Sequence, residues 1–332
     1  AALEAPIPIG DQSFAPDAAI GIAVFPDHGN DHQTLVRNGK LAVRAARAAG
    51  ERMAVYDATQ GESEERKMQF EARLRRALEE NGLRIAFAPE LDLGSERIAG
   101  LSCELQWTDA ELGEVPEARA IETAEASGLI RDVTWWTFNT ALRLMGEFAR
   151  AGLELPISLK VTASGLLQPD FIEFTGRALR TWKVPATSVL IEVHESALVG
   201  SIGPVKAALE QLKALGVRLG IDGFGTSASS LGNLAQLPLD EAKIGATFVA
   251  DMRQSAPHAR IVRSLAHLAQ DLGLHLTADG VEDEDTALAL STLGCERIQG
   301  SYVGRPLGVH EVLASDLGAE GPAQLPVSVH RS

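Results

Sequence analysis

The chain has 332 residues, 45% apolar and 23% charged, which is enough to bury a sizeable core without disulfide or metal staples. Its 30 Lys and Arg stand against 45 Asp and Glu, and the net charge of -15 repels long polyanions, arguing against nucleic acid or an anionic membrane surface as a main partner. The two cysteines, Cys103 and Cys295, lack metal-ligand spacing and read as reduced thiols of a cytoplasmic protein, and no apolar run approaches the roughly 18 residues of a membrane span.

The start at Ala1, without Met or a basic-then-apolar leader, reads as a fragment whose parent has room upstream for a sensor domain or a membrane anchor. The first element is a strand-like run, Ile20 to Phe25, closed by the turn formers Pro26, Asp27, His28 and Gly29. A helix through Leu35, Leu41 to Val43 and Ala45 to Ala49 stops at Gly50, before a short strand at Met53 to Tyr56. This piece, residues 1–60, is too small to bury a core of its own. A linker helix is expected over 61–80, with Phe70, Leu74 and Leu78 on one face.

From Leu83 onward short apolar runs alternate with amphipathic helices. The strand candidates are Leu83 to Phe87, Ile98 to Leu105, Ile157 to Val161, Val189 to Val193, Val217 to Ile221, Ala242 to Ile244, His275 to Ala278 and Arg297 to Gln299. Leu215-Gly216, Leu272-Gly273 and Leu293-Gly294 each mark a helix end directly before a strand, because glycine accepts the positive φ that follows a last helical turn. The pattern predicts an α/β fold, a (β/α)8 TIM-like barrel over 81–318 behind a small α/β N-terminal remnant, with a flexible tail at 319–332. The alternative is an open doubly wound sheet, disfavoured because no Gly-rich dinucleotide turn follows the first strand.

In a barrel of this kind chemistry gathers at the C-terminal ends of the strands. Read there, the polar residues are Ser102 and Cys103, Thr162, Glu192 with His194 and Glu195, Asp222, Lys243, Asp279 with Glu282, and Gln299. Carboxylates from different strands plus a lysine form the pattern of a Mg²⁺ or Mn²⁺ site acting on a phosphate ester, and the alternative is a solvated rim. Glu192 and His194, two apart on a strand, point the same way. A zinc-binding pair and a core histidine hydrogen-bonded to Glu192 or a loop carbonyl are the two readings of His194.

At these residues the chain resembles the EAL family of cyclic di-GMP phosphodiesterases. Ile221-Asp222-Gly223-Phe224-Gly225-Thr226-Ser227-Ala228-Ser229-Ser230-Leu231 is similar to that family's DDFGTGYSSL loop. Around it, in the family's order, stand Ala88-Pro89, Ala124-Glu125, Ile191-Glu192-Val193-His194-Glu195-Ser196, Leu237-Pro238-Leu239-Asp240, Lys243-Ile244, Ala278-Asp279-Gly280-Val281-Glu282 and Gln299-Gly300. The resemblance implies an EAL-type barrel, but its chemistry is broken at several places. Ser102 stands at the name glutamate, Thr162 at a metal-binding asparagine, Gly223 at the second aspartate of the DD pair, and Asp279 at a glutamate. The remnant of the catalytic set is Glu192, Asp222, Lys243, Asp279 and Glu195, the last as support of the loop after Asp222, with Glu192 and Asp222 left to hold at best a single weak Mg²⁺ or Mn²⁺. No cofactor is expected.

Gln299, Pro89 and Asp240 remain as weak ligand-binding positions, while Gln106 stands at the family's phosphate-contacting arginine, Ala88 at its glutamine near the first strand, and Gly245 and Ala246 at the Asp and Arg that usually follow Lys243-Ile244. The resemblance therefore implies a catalytically degenerate module acting through protein contacts, with cyclic di-GMP bound weakly or not at all. A non-hydrolysing receptor and a residual phosphodiesterase are the alternatives. The loop and helix after Asp222 are the candidate surface for a homodimer, because that loop borders a dimer surface in the family. The front piece resembles the end of a GGDEF-like domain through Gly21-Ile22-Ala23, Pro26, Gly29 and the helix to Arg47, with its GTP-binding loop absent from this sequence.

Overall fold

The computed structural model describes residues 7–9, 12–14, 19–80, 82–199, 202–227, 231–315 and 317. The expected tail at 319–332 and Ala228, Ser229 and Ser230 of the loop after Asp222 lie outside the described residues. The chain divides into two compact units between Arg76 and Ala77.

In the first unit β1 (Ile7–Ile9) and β2 (Gln12–Phe14) form an antiparallel pair. β3 (Ile20–Ile22), α1 (His32–Ala48) and β4 (Met53–Val55) follow as a crossover in which β3 and β4 pair in parallel. Asp31 starts α1 by accepting a hydrogen bond from the Thr34 N–H at 2.9 Å. Gly21 is required where β3 passes α1, since a Cβ there would lie 2.1 Å from the Gly39 carbonyl oxygen. α2 (Ala58–Glu79) runs across the division.

The second unit is a closed barrel. Its elements in order are β5 (Leu83–Asp92), β6 (Arg97–Asp109), β7 (Gly113–Val115), α3 (Glu117–Ser127), α4 (Ile130–Arg150), β8 (Ile157–Val161), α5 (Ala163–Leu166), α6 (Phe171–Trp182) and β9 (Val189–His194). Then come α7 (Ile202–Ala214), β10 (Arg218–Phe224), α8 (Leu231–Leu234), β11 (Glu241–Ile244), α9 (Ala246–Val249), α10 (Ala256–Asp271), β12 (His275–Ala278), α11 (Glu284–Thr292), β13 (Arg297–Ile298) and α12 (Val309–Ala314). The strand order β5-β13-β12-β11-β10-β9-β8-β6 closes on itself through a β5–β6 pairing, and β7 pairs with β6 outside the ring. The closing pair rules out the open sheet.

One departure from a regular (β/α)8 plan appears at the start. β5 runs antiparallel to both β6 and β13, and a hairpin rather than a helix joins it to β6. Asp92 builds that turn, accepting from the N–H and hydroxyl of Ser95 at 2.7 and 2.6 Å. The other ring pairs are parallel, and their strands read as continuous apolar runs because helices cover the outside and side chains fill the inside. α4 buries Phe138, Ala141, Leu142, Met145 and Phe148 at helical spacing against the barrel core. Gly216, Gly273 and Gly294 have φ of +91°, +70° and +83°, the left-handed step that lets each helix end turn directly into a strand.

Candidate functional site

The parallel register sets the site. Lys160 on β8 lies opposite Glu192 on β9, and Asp222 on β10 lies opposite His194, so the polar side chains collect toward one end of the barrel. Two ion-pair groups result. Deep in the ring the Lys243 ammonium sits 2.9 Å from Glu90 and 2.8 Å from Glu192, and also donates to the Gln299 side-chain oxygen at 3.4 Å. Nearer the mouth Lys160 meets Asp222 at 3.1 Å, and Asp222 also accepts from the Gly223 N–H at 2.9 Å.

Burial decides the charge states. It lifts the Glu192 carboxyl to about 7, against the pull of Lys243, with Asp222 and Glu90 adding to the rise. Burial also works against a charged Lys243, but Glu192, Glu90 and Asp222 outweigh it and hold the ammonium well above the ordinary lysine value. At Asp222 the desolvation cost is overcome by Lys160 and Lys243, and the carboxyl stays below the usual carboxylate range. Lys160 is raised in return, by Asp222 and Glu192 together against desolvation.

The remaining expected residues disperse. Glu195 accepts from the N–H groups of Gly225 and Ser227 at 2.9 and 3.0 Å, and so holds the loop after Asp222. Asp279 accepts from its neighbour Gly280 at 2.8 Å and closes its own turn. Pro89 sits on β5 opposite Leu101. Asp240, read as a ligand-binding position, lies before β11 at the opposite end of the barrel, where Lys213 grips both its oxygens at 2.5 Å and the Leu219 N–H donates at 2.8 Å. Its work there is to pin two elements together. Thr162, read as the family's ligand asparagine, instead caps α5 by accepting from the Gly165 N–H at 3.1 Å. The side chain that β8 sends to the acids is Lys160.

Ser102 is fully buried with a hydroxyl that has no hydrogen-bond partner among the described residues, in register with the equally unpartnered Ser158. Glu104 shares the face of Ser102, and its carboxyl is raised by burial and by the nearby Glu117, with Lys160 opposing. His194 does not pair with Glu192. Its Nδ1 lies 2.8 Å from the Ser196 hydroxyl and accepts from the Ser196 N–H at 3.2 Å. The ring also fills the space beside Gly223, where a Cβ would lie 2.5 Å from Nε2 on a backbone with φ of +68°. Beside these groups opens a cavity of about 430 Å³ between α3, α4 and the ends of β8, β9 and β10.

An EAL domain profile matches residues 71–306, most of the chain. The chain belongs to the EAL domain family. The cyclic di-GMP phosphodiesterase NbdA of Pseudomonas aeruginosa is 31% identical over 313 residues, covering 92% of this chain and 39% of NbdA. MucR of the same organism, a bifunctional diguanylate cyclase and cyclic di-GMP phosphodiesterase, is 29% identical over 90% of this chain and 44% of its own. Among solved structures, the MucR phosphodiesterase in complex with c-di-GMP superposes with a TM-score of 0.71 at 29% identity, covering 74% of this chain and 99% of that one. The EAL domain of Mycobacterium smegmatis DcpA gives 0.60 at 29%, over 70% and 96%. The chain spans about half or less of the length of the curated relatives it matches.

Both candidate ligands, Glu192 and Asp222, already hold a lysine ammonium, and among the described residues no group of three or more His, Cys, Asp and Glu is placed to hold a metal. Two residues that shape this EAL site, Lys160 and Glu90, escaped the sequence reading. Lys160 had a signal, a lone cation inside the apolar run Ile157–Val161. Glu90 lies beyond the expected strand Leu83 to Phe87, since β5 continues to Asp92 with a register shift after Glu90.

Proposed function

We propose that this EAL domain is a catalytically degenerate module of cyclic di-GMP signalling that works through protein contacts rather than by hydrolysing the dinucleotide. The observation that carries this reading is the Lys160–Asp222 ion pair at 3.1 Å beside the Lys243–Glu192 pair at 2.8 Å. A tethered ammonium on each acid takes the place of a mobile divalent ion, and no hard-oxygen set remains to generate hydroxide. Ser102 and Gly223 offer no carboxylate to a divalent ion, and Gln106 offers no guanidinium to a dianionic ligand. Relatives such as MucR are named for making and cleaving cyclic di-GMP, which supports the signalling context. The β3-α1-β4 crossover ahead of the barrel supports reading the front unit as the end of a GGDEF-like domain. Two buried free cysteines agree with a cytoplasmic setting for this portion.

The test is incubation with cyclic di-GMP and Mg²⁺ or Mn²⁺ followed by chromatography, together with calorimetric titration of the dinucleotide. No linear product and no binding at micromolar concentration are expected. Product formation would restore the phosphodiesterase reading, and tight binding without product the receptor reading. Pairing of two barrels through the loop and helix after Asp222 is tested by sedimentation velocity across protein concentrations, where a dimer fraction that grows with concentration is expected.

A further inference from the structure

A second cavity, of about 180 Å³, lies on the flank of the barrel, between the C-terminal half of α4 and the entries to β8 and β9. None of the acids and lysines of the mouth lines it. Its body is apolar: Leu101 and Ile157 from the strands, Met145 and Phe148 from α4, and Val184 just after α6 are all buried. A space of this size takes one apolar side chain or a small ring, since a dry cavity of about 150 Å³ already accommodates benzene.

Two ionic groups line the same cavity, Lys183 and Glu154. Both residues are exposed, so their charges stand at its rim. Among the described residues neither the Lys183 ammonium nor the Glu154 carboxylate has a hydrogen-bond or ion-pair partner, and no ion pair joins the two. Lys183 also occupies the left-handed position, with φ of +56°, at which α6 ends. Glycine or asparagine takes that position at the least cost, so a lysine there holds a cation beside the cavity on a strained backbone.

We propose that this cavity binds a free amino acid with an apolar side chain. The side chain enters between α4 and the strands, Lys183 pairs with the α-carboxylate, and Glu154 pairs with the α-ammonium. The two charges of a zwitterion answer the two charges at the rim. A carboxylate without the amine leaves Glu154 unmatched, an amine without the carboxylate leaves Lys183 unmatched, and glycine leaves the apolar wall unfilled. The site shares no residue with the mouth, so it stands or falls apart from the proposed function.

The experiment is calorimetric titration of the whole chain with L-leucine, isocaproate, isoamylamine and glycine. The second lacks the ammonium, the third the carboxylate and the last the side chain. L-Leucine is expected to bind about fivefold or more tighter than each of the others. Lys183→Asn suits the left-handed position and removes the cation, and is expected to bring L-leucine down to the level of isoamylamine. Glu154→Gln is expected to bring it down to the level of isocaproate. Ala149→Trp, on an exposed position of α4 that lines the cavity, fills it and is expected to abolish binding. Equal affinity for L-leucine and either single-charge analogue, undiminished binding in Lys183→Asn or Ala149→Trp, or no binding of L-leucine at millimolar concentration overturns the inference.

Discussion

The two ends of the barrel hold buried carboxylates in opposite ways. At the base, Glu241 is closed between Arg218 and Arg297, and Asp240 between Lys213 and a backbone N–H. The arginines keep about a fifth to a quarter of their surface in solvent, at 24% and 21% exposure, so each has both a partner and water. Toward the mouth, Lys243 is 2% exposed and serves two acids, and one oxygen of Glu192 has no donor among the described residues. The base is satisfied and reads as a fastener. The inner mouth shares one buried cation between two acids.

Several outcomes would break or sharpen that contrast, the largest first. Lys243→Met leaves Glu90 and Glu192 buried without a counter-ion, and a loss of about 3 to 5 kcal/mol in urea unfolding is expected. Glu241→Gln at the base is expected to cost less, about 1 to 3 kcal/mol, since its arginines can turn to water. Equal losses at the two ends would erase the distinction. Gly223→Asp meets the His194 ring and a left-handed backbone, so about 1 to 3 kcal/mol is expected, and the double variant with His194→Thr is expected to recover the part that comes from the clash.

The pH dependence separates the two mouth acids. Glu192 has an ordinary value of 4.5 and a folded value of about 7, so between these the unfolded chain has lost a proton that the folded chain keeps. Its contribution to stability therefore falls as pH rises through that window. Asp222 is shifted down, so its contribution is present above its ordinary value of 3.8 and is lost as pH falls further. Urea midpoints for the wild type and Glu192→Gln between pH 4.5 and 7 are expected to differ in slope, with the variant flatter. Parallel slopes would show that Glu192 is not the buried acid that titrates there.

Much of this was legible in the sequence because barrel strands are buried on both faces. Eight apolar runs such as Ile157 to Val161 and His275 to Ala278 marked the ring, and the Leu-Gly pairs marked three helix ends. Glu192, Lys243 and Gln299 were legible as one group because the family spacing carries them. What escaped depended on partners that no local pattern names. Nothing near Glu90 points to Lys243, 153 positions away, and nothing near Asp240 tells that Lys213 holds it at the base. Thr162 and Lys160 share a strand face, so alternation alone could not choose between them, and a helix cap took the first while the ion pair took the second.

Lysines pair with Glu192 and Asp222, the two acids left to hold a divalent ion. Mn²⁺ titration followed by the electron paramagnetic resonance of the free ion tests that arrangement directly, on the wild type and on Lys160→Ala. Lys160 is 39% exposed but its partner Asp222 only 15%, so its loss is expected to cost about 1 to 3 kcal/mol, less than Lys243→Met. The wild type is expected to leave the free-ion signal undiminished and Lys160→Ala to gain one weak site. Two Mn²⁺ bound per wild-type chain would contradict the account.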